Sequence, residues 1–341
     1  MNEPALLPKS QSTLADVARL AGVSVATASK ALNDKPQVRA ETRARVKAAA
    51  EQLSFLPNIL AQSLHQQRTG TVGLITSDLE GRFSIPILLG AEDAFGAGAV
   101  SVFLCDARDD TIRERHHLRA LLSRRVDGII IVGARPDPRQ TLGRDIDVPV
   151  VYAYSPSLHE DDYSVVVDNY GAGRMAIEHL LACGRTKIAH ITGDPSYGAT
   201  HERAAGARAA LNENGLDFVS GHPLEGSWSE SWGRGAAHML LSQGHDIDGI
   251  FCGSDQIARG VLDTLREAGR RVPEDIAVIG FDNWEAFAAN SRPQLTSIDM
   301  QLEKLGNLAA RKLFSILDGE TARGIEALPC KLVYRESTAA L

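Results

Sequence analysis

Lys30 stands one helical turn after Ala26 in the run GVSVATASKALN. On the outer face of a helix laid in a DNA major groove, its ammonium can donate to guanine O6 and N7. The methyl groups of Val25 and Ala26 can meet thymine methyls there. Ser24, Thr27, Ser29 and Asn33 are short polar groups suited to phosphate oxygens, which position a helix without reading sequence. Thr13, at the start of the preceding helix, belongs to the same DNA-facing set. A second constellation is spread over two hundred residues: Arg203 with Asp78, Arg82, Ser254, Asp255 and Asp282, and the aromatic Phe83, Tyr154 and Trp228. Arginine and carboxylates give paired hydrogen bonds to vicinal hydroxyls or to a carboxylate. Aromatic rings supply an apolar wall on which a sugar ring stacks. Plainer roles compete: Asp78 and Asp255 equally suit helix caps, Trp228 a core position and Arg203 a surface ion pair.

Other chemistries find no residues to carry them. The chain has no GxSxG, HExxH or P-loop, and FGAGAV lacks the full dinucleotide fingerprint. His116–His117 and His201–Glu202 lack metal-ligand spacing. Cys105, Cys183, Cys252 and Cys330 lie far apart without a CxxC pair, as small core residues of a reducing compartment do. No enzyme activity, cofactor or metal is expected. The first twelve residues are polar, with prolines at 4 and 8, unlike a signal peptide. No apolar run approaches the ~18 residues of a membrane span, so a soluble, cytoplasmic protein is expected.

The elements that must hold Lys30 and its neighbours are legible from caps and periodicity. Thr13 precedes LADVARLA as an N-cap, with Asp16 at the position that closes a capping box. Leu14, Val17, Ala18 and Ala21 share one helical face, and Gly22 ends the helix. Ser24 caps a second helix whose Ala28 and Leu32 should face inward, and a third runs from about Ala40 to Leu53. Two short helices around a glycine turn, braced by a third, make a helix-turn-helix over 13–57, after a disordered tail at 1–12.

TLADVARLAGVSVATASKALN and VRAETRARVKAAAEQLSFLPNILAQSL resemble the N-terminus of the LacI/GalR family of bacterial repressors, and the likeness runs to about residue 338. The resemblance implies a hinge helix and linker over 58–70, starting at Asn58 and ordering only on DNA against the partner's hinge. Seven or eight residues are too few for a stable isolated helix. It also makes Leu64 an apolar wedge in a minor-groove base step, where a buried linker residue is the plain alternative, with small Ala61 beside it. Arg39 departs from the family's serine cap of the third helix, at a cost of about 0.5–2 kcal/mol.

From Thr71 onward, apolar runs alternate with helical stretches. TVGLITS, AVSVFLC, DGIIIVG, VPVVYAY and YSVVVD form one series, and KIAHITG, DGIFC and IAVIGFD a second. Such strands indicate parallel sheets covered on both faces. The expected fold is multidomain: an all-α helix-turn-helix head, then an α/β two-lobed clamp like the type I periplasmic-binding proteins. The resemblance supplies the chain order, with an N-lobe of 71–167 plus 297–325 and a C-lobe of 168–296 plus 326–341. Ligands sit beyond the carboxyl ends of such strands, where the second constellation falls. Arg203, Trp228 and Asp282 coincide with the family's effector-contact positions, and Tyr154 replaces an aspartate found in some members.

Charge agrees with this division. The 341 residues carry 36 basic and 43 acidic side chains, a net charge of −7, yet residues 1–70 hold nine basic and five acidic ones. An acidic body confines DNA contact to the head. The resemblance therefore implies a sequence-specific DNA-binding transcriptional regulator, a repressor of a carbohydrate-utilisation operon. It would bind a near-palindromic operator as a homodimer and respond to a sugar or sugar derivative held between the lobes. A same-fold regulator of a purine or protein corepressor remains an alternative. A solute-binding transport protein is a third reading, which the head argues against.

Overall fold

Thr13 caps its helix as the local sequence requires. In the computed structural model its hydroxyl accepts from the Asp16 amide (3.3 Å), while the Asp16 carboxylate accepts from the Thr13 amide (2.9 Å). The structure describes residues 13–32, 37–53, 55, 68–79, 82–96, 100–143 and 145–338, which form two units parting between Thr69 and Gly70. The head comprises α1 (Leu14–Leu20), α2 (Val25–Leu32) and α3 (Ala40–Gln52) around Val17, Ala18, Ala28, Ala31 and Val46. Gly22 turns the chain at φ +64°. A Cβ there would meet nothing within 4 Å, so backbone conformation and not space demands the glycine. Ala31 is fully buried and Leu32 only half, so the inward stripe of α2 sits one residue earlier than its larger side chain suggests. Arg39 makes no side-chain cap bond to α3, as its departure from serine foretells. Arg45 compensates within the same helix by donating from Nε to the Ala21 carbonyl at the end of α1 (2.9 Å).

The body has two sheets. The first contains β1 (Thr71–Thr76), β2 (Ser101–Asp106), β3 (Gly128–Val132), β4 (Val150–Ala153), β5 (Tyr163–Val167) and β10 (Gly324–Leu328), in the order β10-β5-β4-β3-β1-β2. The second contains β6 (Ile188–Ile191), β7 (Gly249–Cys252), β8 (Ala277–Phe281), β9 (Thr296–Asp299) and β11 (Lys331–Val333), in the order β11-β9-β8-β7-β6. Neighbours are parallel except for β11 against β9. Fully apolar strands such as β3 and β8 are buried along their whole length, as sheets covered on both faces require. The first sheet is covered by α4 (Ser84–Phe95), α5 (Thr111–Ser123) and α11 (Leu302–Leu317). The second carries α6 (Asn169–Ala182), α7 (Gly198–Glu213), α8 (Glu230–Ser242), α9 (Asp255–Glu267) and the short α10 (Glu285–Ala288).

Two lobe boundaries read from sequence need correction. β9 stays in the second sheet to Asp299, because it pairs with β8 and the strand breaks only where Gln301 takes φ +54°. β10 stays in the first sheet to Leu328, pairing with β5 until Pro329, which cannot donate to a ladder. The crossings therefore follow Asp299 and Leu328 instead of residues 296 and 325. Among the described residues, no helix is long and apolar enough to cross a membrane.

Candidate functional site

In the head, Ser24 caps α2 by accepting from the Thr27 amide (3.1 Å), with the two hydroxyls 2.8 Å apart. Ala28 and Ala31 point into the core, which turns Val25, Ala26 and Lys30 outward and leaves Ser29 half-exposed. The helix thus presents the positions named for base contact. Thr13 spends its hydroxyl on the Asp16 carboxylate (2.6 Å). Asn33, Asn58, Ala61 and Leu64 lie outside the described residues.

In the body, a cleft of about 400 Å³ opens between the two sheets at their carboxyl ends. Asp78, Arg82, Phe83 and Tyr154 line it from the first lobe, and Arg203, Trp228, Ser254 and Asp282 from the second. Eight of the nine residues read from sequence therefore converge. The ninth, Asp255, does not reach the cleft. It is fully buried at the start of α9, accepting from the Trp284 amide (2.7 Å) and the Ser297 hydroxyl (2.6 Å). Burial, with the charge of nearby Asp282, pushes its carboxyl up to about 8. Ser254 is the cap of that helix, accepting from the Ile257 amide (3.2 Å). Asp255 is thus neither cap nor cleft residue; it supports the loop that carries Asp282 and Trp284.

Arg203 is held rigidly. Its Nε donates to Asn169 Oδ1 (2.9 Å) and its Nη1 to the Gly253 carbonyl (2.7 Å), and Phe281 lies 3.4 Å beneath the guanidinium. Nη2 makes no hydrogen bond among the described residues, though the side chain is 4% exposed. Its backbone is seated as tightly. A Cβ at Gly173 of α6 would lie 2.1 Å from the Arg203 carbonyl oxygen, and one at Gly206 of α7 would lie 2.0 Å from that of Tyr170. The two helices therefore touch backbone to backbone.

Arg82 crosses the cleft. From the loop after β1 it pairs with Asp282 at the end of β8, and its guanidinium lies over Phe83 of its own lobe (4.7 Å) and Trp284 of the other (4.6 Å). Burial raises the Asp282 carboxyl, opposed by Arg82 and Arg203. Phe83 also stacks on Tyr154 at 5.4 Å, and burial raises the Tyr154 hydroxyl. Trp228 reaches the cleft with its Nε1 buried and without a partner among the described residues. Gly193 makes room for its ring, since a Cβ there would approach to 2.1 Å. Trp232 is core, donating to the Thr192 carbonyl (2.8 Å).

Sequence reasoning missed Pro136, Tyr197, Gln256 and Trp284 on the cleft wall. Trp284 lies two residues past Asp282, so the signal was local: an aromatic at a strand end. Tyr197 precedes α7 in the GDPSYG loop, with its ring edge-on to Trp228 at 5.7 Å. Among the described residues no group of three or more His, Cys, Asp and Glu could hold a metal ion.

A family model described as bacterial regulatory proteins, lacI family, matches residues 13–58, and a periplasmic binding protein-like domain matches 177–338. Catabolite control protein A of Priestia megaterium is 32% identical, over 96% of this chain and 99% of its own length. The HTH-type transcriptional regulator CelR of Thermobifida fusca is 34% identical, over 95% and 98%. Among solved structures, the lac repressor dimer bound to operator and the anti-inducer ONPF superposes with a TM-score of 0.75 at 28% identity, covering 97% of this chain and 100% of that one. A complex of transcriptional regulator CelR with cellobiose gives 0.63 at 32% identity, covering 96% and 99%. The likeness spans head and body together, and the chain belongs to the lacI family of bacterial regulatory proteins.

Proposed function

We propose that the chain is a repressor of a carbohydrate-utilisation operon whose hold on operator DNA is set by a sugar or sugar derivative in the interlobe cleft. The observation that carries the effector reading is the cleft itself. A buried arginine with one amino group left over faces aromatic walls drawn from both lobes. Arg203, Asp282, Asp78 and Ser254 offer hydrogen bonds to vicinal hydroxyls, while Phe83, Tyr154 and Trp228 supply the stacking surface. The relative CelR is described in complex with cellobiose, which supports a sugar. The role is binding and not catalysis.

Val25, Ala26 and Lys30 read bases, Ser24, Thr27, Ser29 and Asn33 contact phosphate, and Thr13 belongs to the same DNA-facing set. Asn58, Ala61 and Leu64, which lie outside the described residues, belong to the same DNA-contacting set. The active form is a homodimer on a near-palindromic operator, in the cytoplasm where the DNA is. The relative solved with operator is a dimer. The edge strand β2 supports the same assembly here, exposing Phe103 and Leu104, as do Ile85 and Leu89 exposed on α4. Because the cleft is built from two lobes, a ligand that prefers one lobe angle shifts the population of DNA-competent dimers. Calorimetry of the full chain against sugars and purine bases tests the effector class, with tryptophan fluorescence reporting occupancy at Trp228 and Trp284. Saturable heat with a sugar is expected. Binding to a purine base and to no sugar sinks the assignment.

A further inference from the structure

Asn283 follows the cleft residue Asp282. Neither is glycine, yet both take left-handed backbone angles, φ +104° at Asp282 and +51° at Asn283. Two such residues in succession are costly and persist only where the surroundings over-determine them. Asn283 is held on three sides. Its amide N–H donates to the Ser297 hydroxyl (3.0 Å), its Nδ2 donates to the Asp299 carboxylate (3.2 Å), and its Oδ1 accepts from Arg335 Nη2 (2.7 Å). A carboxylate on one side and a guanidinium on the other fix which way the side-chain amide faces. Neither of those two partners lines the cleft.

Both partners mark crossings between the lobes. Asp299 ends β9, and its second oxygen accepts from the Gln301 amide (2.7 Å), where the chain turns at φ +54° and passes into the first lobe. Arg335 lies just beyond β11, after the chain has returned, and its Nη1 donates to the Leu295 carbonyl just before β9 (2.8 Å). The crossings are also joined to one another. Gln301 Nε2 donates to the Pro329 carbonyl (2.7 Å), linking the crossing after Asp299 to the one after Leu328. The Leu328 carbonyl accepts from the Asp168 amide (2.9 Å), which reaches the crossing after Val167. Beside Asp168 stands Asn169, whose Oδ1 holds Arg203 Nε (2.9 Å). Two cleft residues, Asp282 and Arg203, thus stand at the two ends of one hydrogen-bonded belt that takes in all three crossings.

We propose that this belt makes the three crossings a single hinge, with Asn283 the positioning residue that ties the cleft to it and Gln301 the stitch between crossings. A ligand that shifts Asp282 moves the neighbour of Asn283, and the belt passes that shift to every crossing together instead of bending one alone. The lobes then swing as units. The device does not depend on which small molecule fills the cleft, so its test needs none.

The test is hydrogen–deuterium exchange of the full chain without ligand, read by mass spectrometry at the segments around Asp168, Asn283 and Gln301, with urea unfolding in parallel. Gln301→Gly and Asn283→Gly delete the side-chain bonds, while glycine keeps each left-handed turn unstrained. Gln301→Glu sets an acceptor against the Pro329 carbonyl. Asn283→Asp sets a carboxylate against Asp299 while still accepting from Arg335. Each variant should speed exchange by at least about tenfold at all three segments and leave β3 and β8 as protected as before. Any of the three segments staying at its original rate overturns the belt. An equal rise at β3 and β8, with a matching loss of stability in urea, also overturns it, since a residue that only stabilises the fold would give that result.

Discussion

Replacing Arg82 by methionine removes one partner of the ion pair across the cleft while keeping most of the side-chain volume. Asp282 is 4% exposed and Arg82 20%, so the pair is largely shielded from water. Two unit charges about 4 Å apart at an effective dielectric near 20 attract by about 4 kcal/mol. Breaking a buried pair by removing one partner costs about 3–5 kcal/mol, and the partial exposure of Arg82 favours the lower end. Arg82→Met should therefore destabilise the body by about 2–3 kcal/mol near pH 8. The sign with pH follows from Asp282. Its carboxyl is already raised by burial, and losing Arg82 raises it further. A carboxyl with a raised folded-state pKa contributes stability at low pH that is lost as pH rises. The deficit of the variant should accordingly be smaller at pH 5 than at pH 8, because the lower pH favours the protonated carboxyl. Urea unfolding at both pH values, followed by the fluorescence of Trp284 beside the guanidinium, measures this. Adding Asp282→Asn completes a double-mutant cycle. A coupling below about 0.5 kcal/mol, or a deficit independent of pH, would refute the claim that the pair binds the lobes together.

Three further outcomes are expected. Gly173→Ala forces a Cβ against the Arg203 carbonyl, so it should cost about 1–3 kcal/mol and weaken ligand binding as well; thermal melts with and without ligand read both. Asp255 is raised to about 8 from 3.8, so its contribution is full below about pH 4 and lost as pH rises through 8. Asp255→Asn should remove up to about 1.4 kcal/mol per pH unit of stability loss in that window, and parallel stability curves for the two proteins would speak against a buried neutral carboxyl. Lys30→Ala should relax preference at one symmetric base position of the operator by about 1–3 kcal/mol. Uniform weakening across operators would make it a phosphate contact.

What could be read from sequence was what local physics decides. The Thr13–Asp16 box, the Ser24 cap and the Gly22 turn each involve neighbours in the chain, and each is present. Apolar strands announced their burial in both sheets, except β2, whose Phe103 and Leu104 are exposed, and the rule that ligands sit at strand ends brought eight cleft residues together. The failures concern a single residue of register or a partner far away. Asp255 missed the cleft because the cap falls on Ser254, which starts the helix one residue earlier than a carboxylate cap would. The lobe crossings were misplaced by three residues because strand pairing, not composition, decides where β9 and β10 stop. Arg82 and Asp282 lie 200 residues apart, and nothing local to either names the other.

The paired glycines of α6 and α7 recur. Gly90 of α4 faces the Glu303 carbonyl and Gly306 of α11 that of Ile87, while Gly233 of α8 faces Ile257 and Gly260 of α9 faces Glu230. Each lobe therefore contains helices that interlock in both directions, and sliding either past the other drives backbone into backbone. Layered proteins rearrange by shear, in which packed helices creep along one another, or by hinges that leave layers whole. At these three helix pairs the first route is blocked. That favours pivoting of intact layers about the three strands of chain that pass between the sheets, after Val167, Asp299 and Leu328.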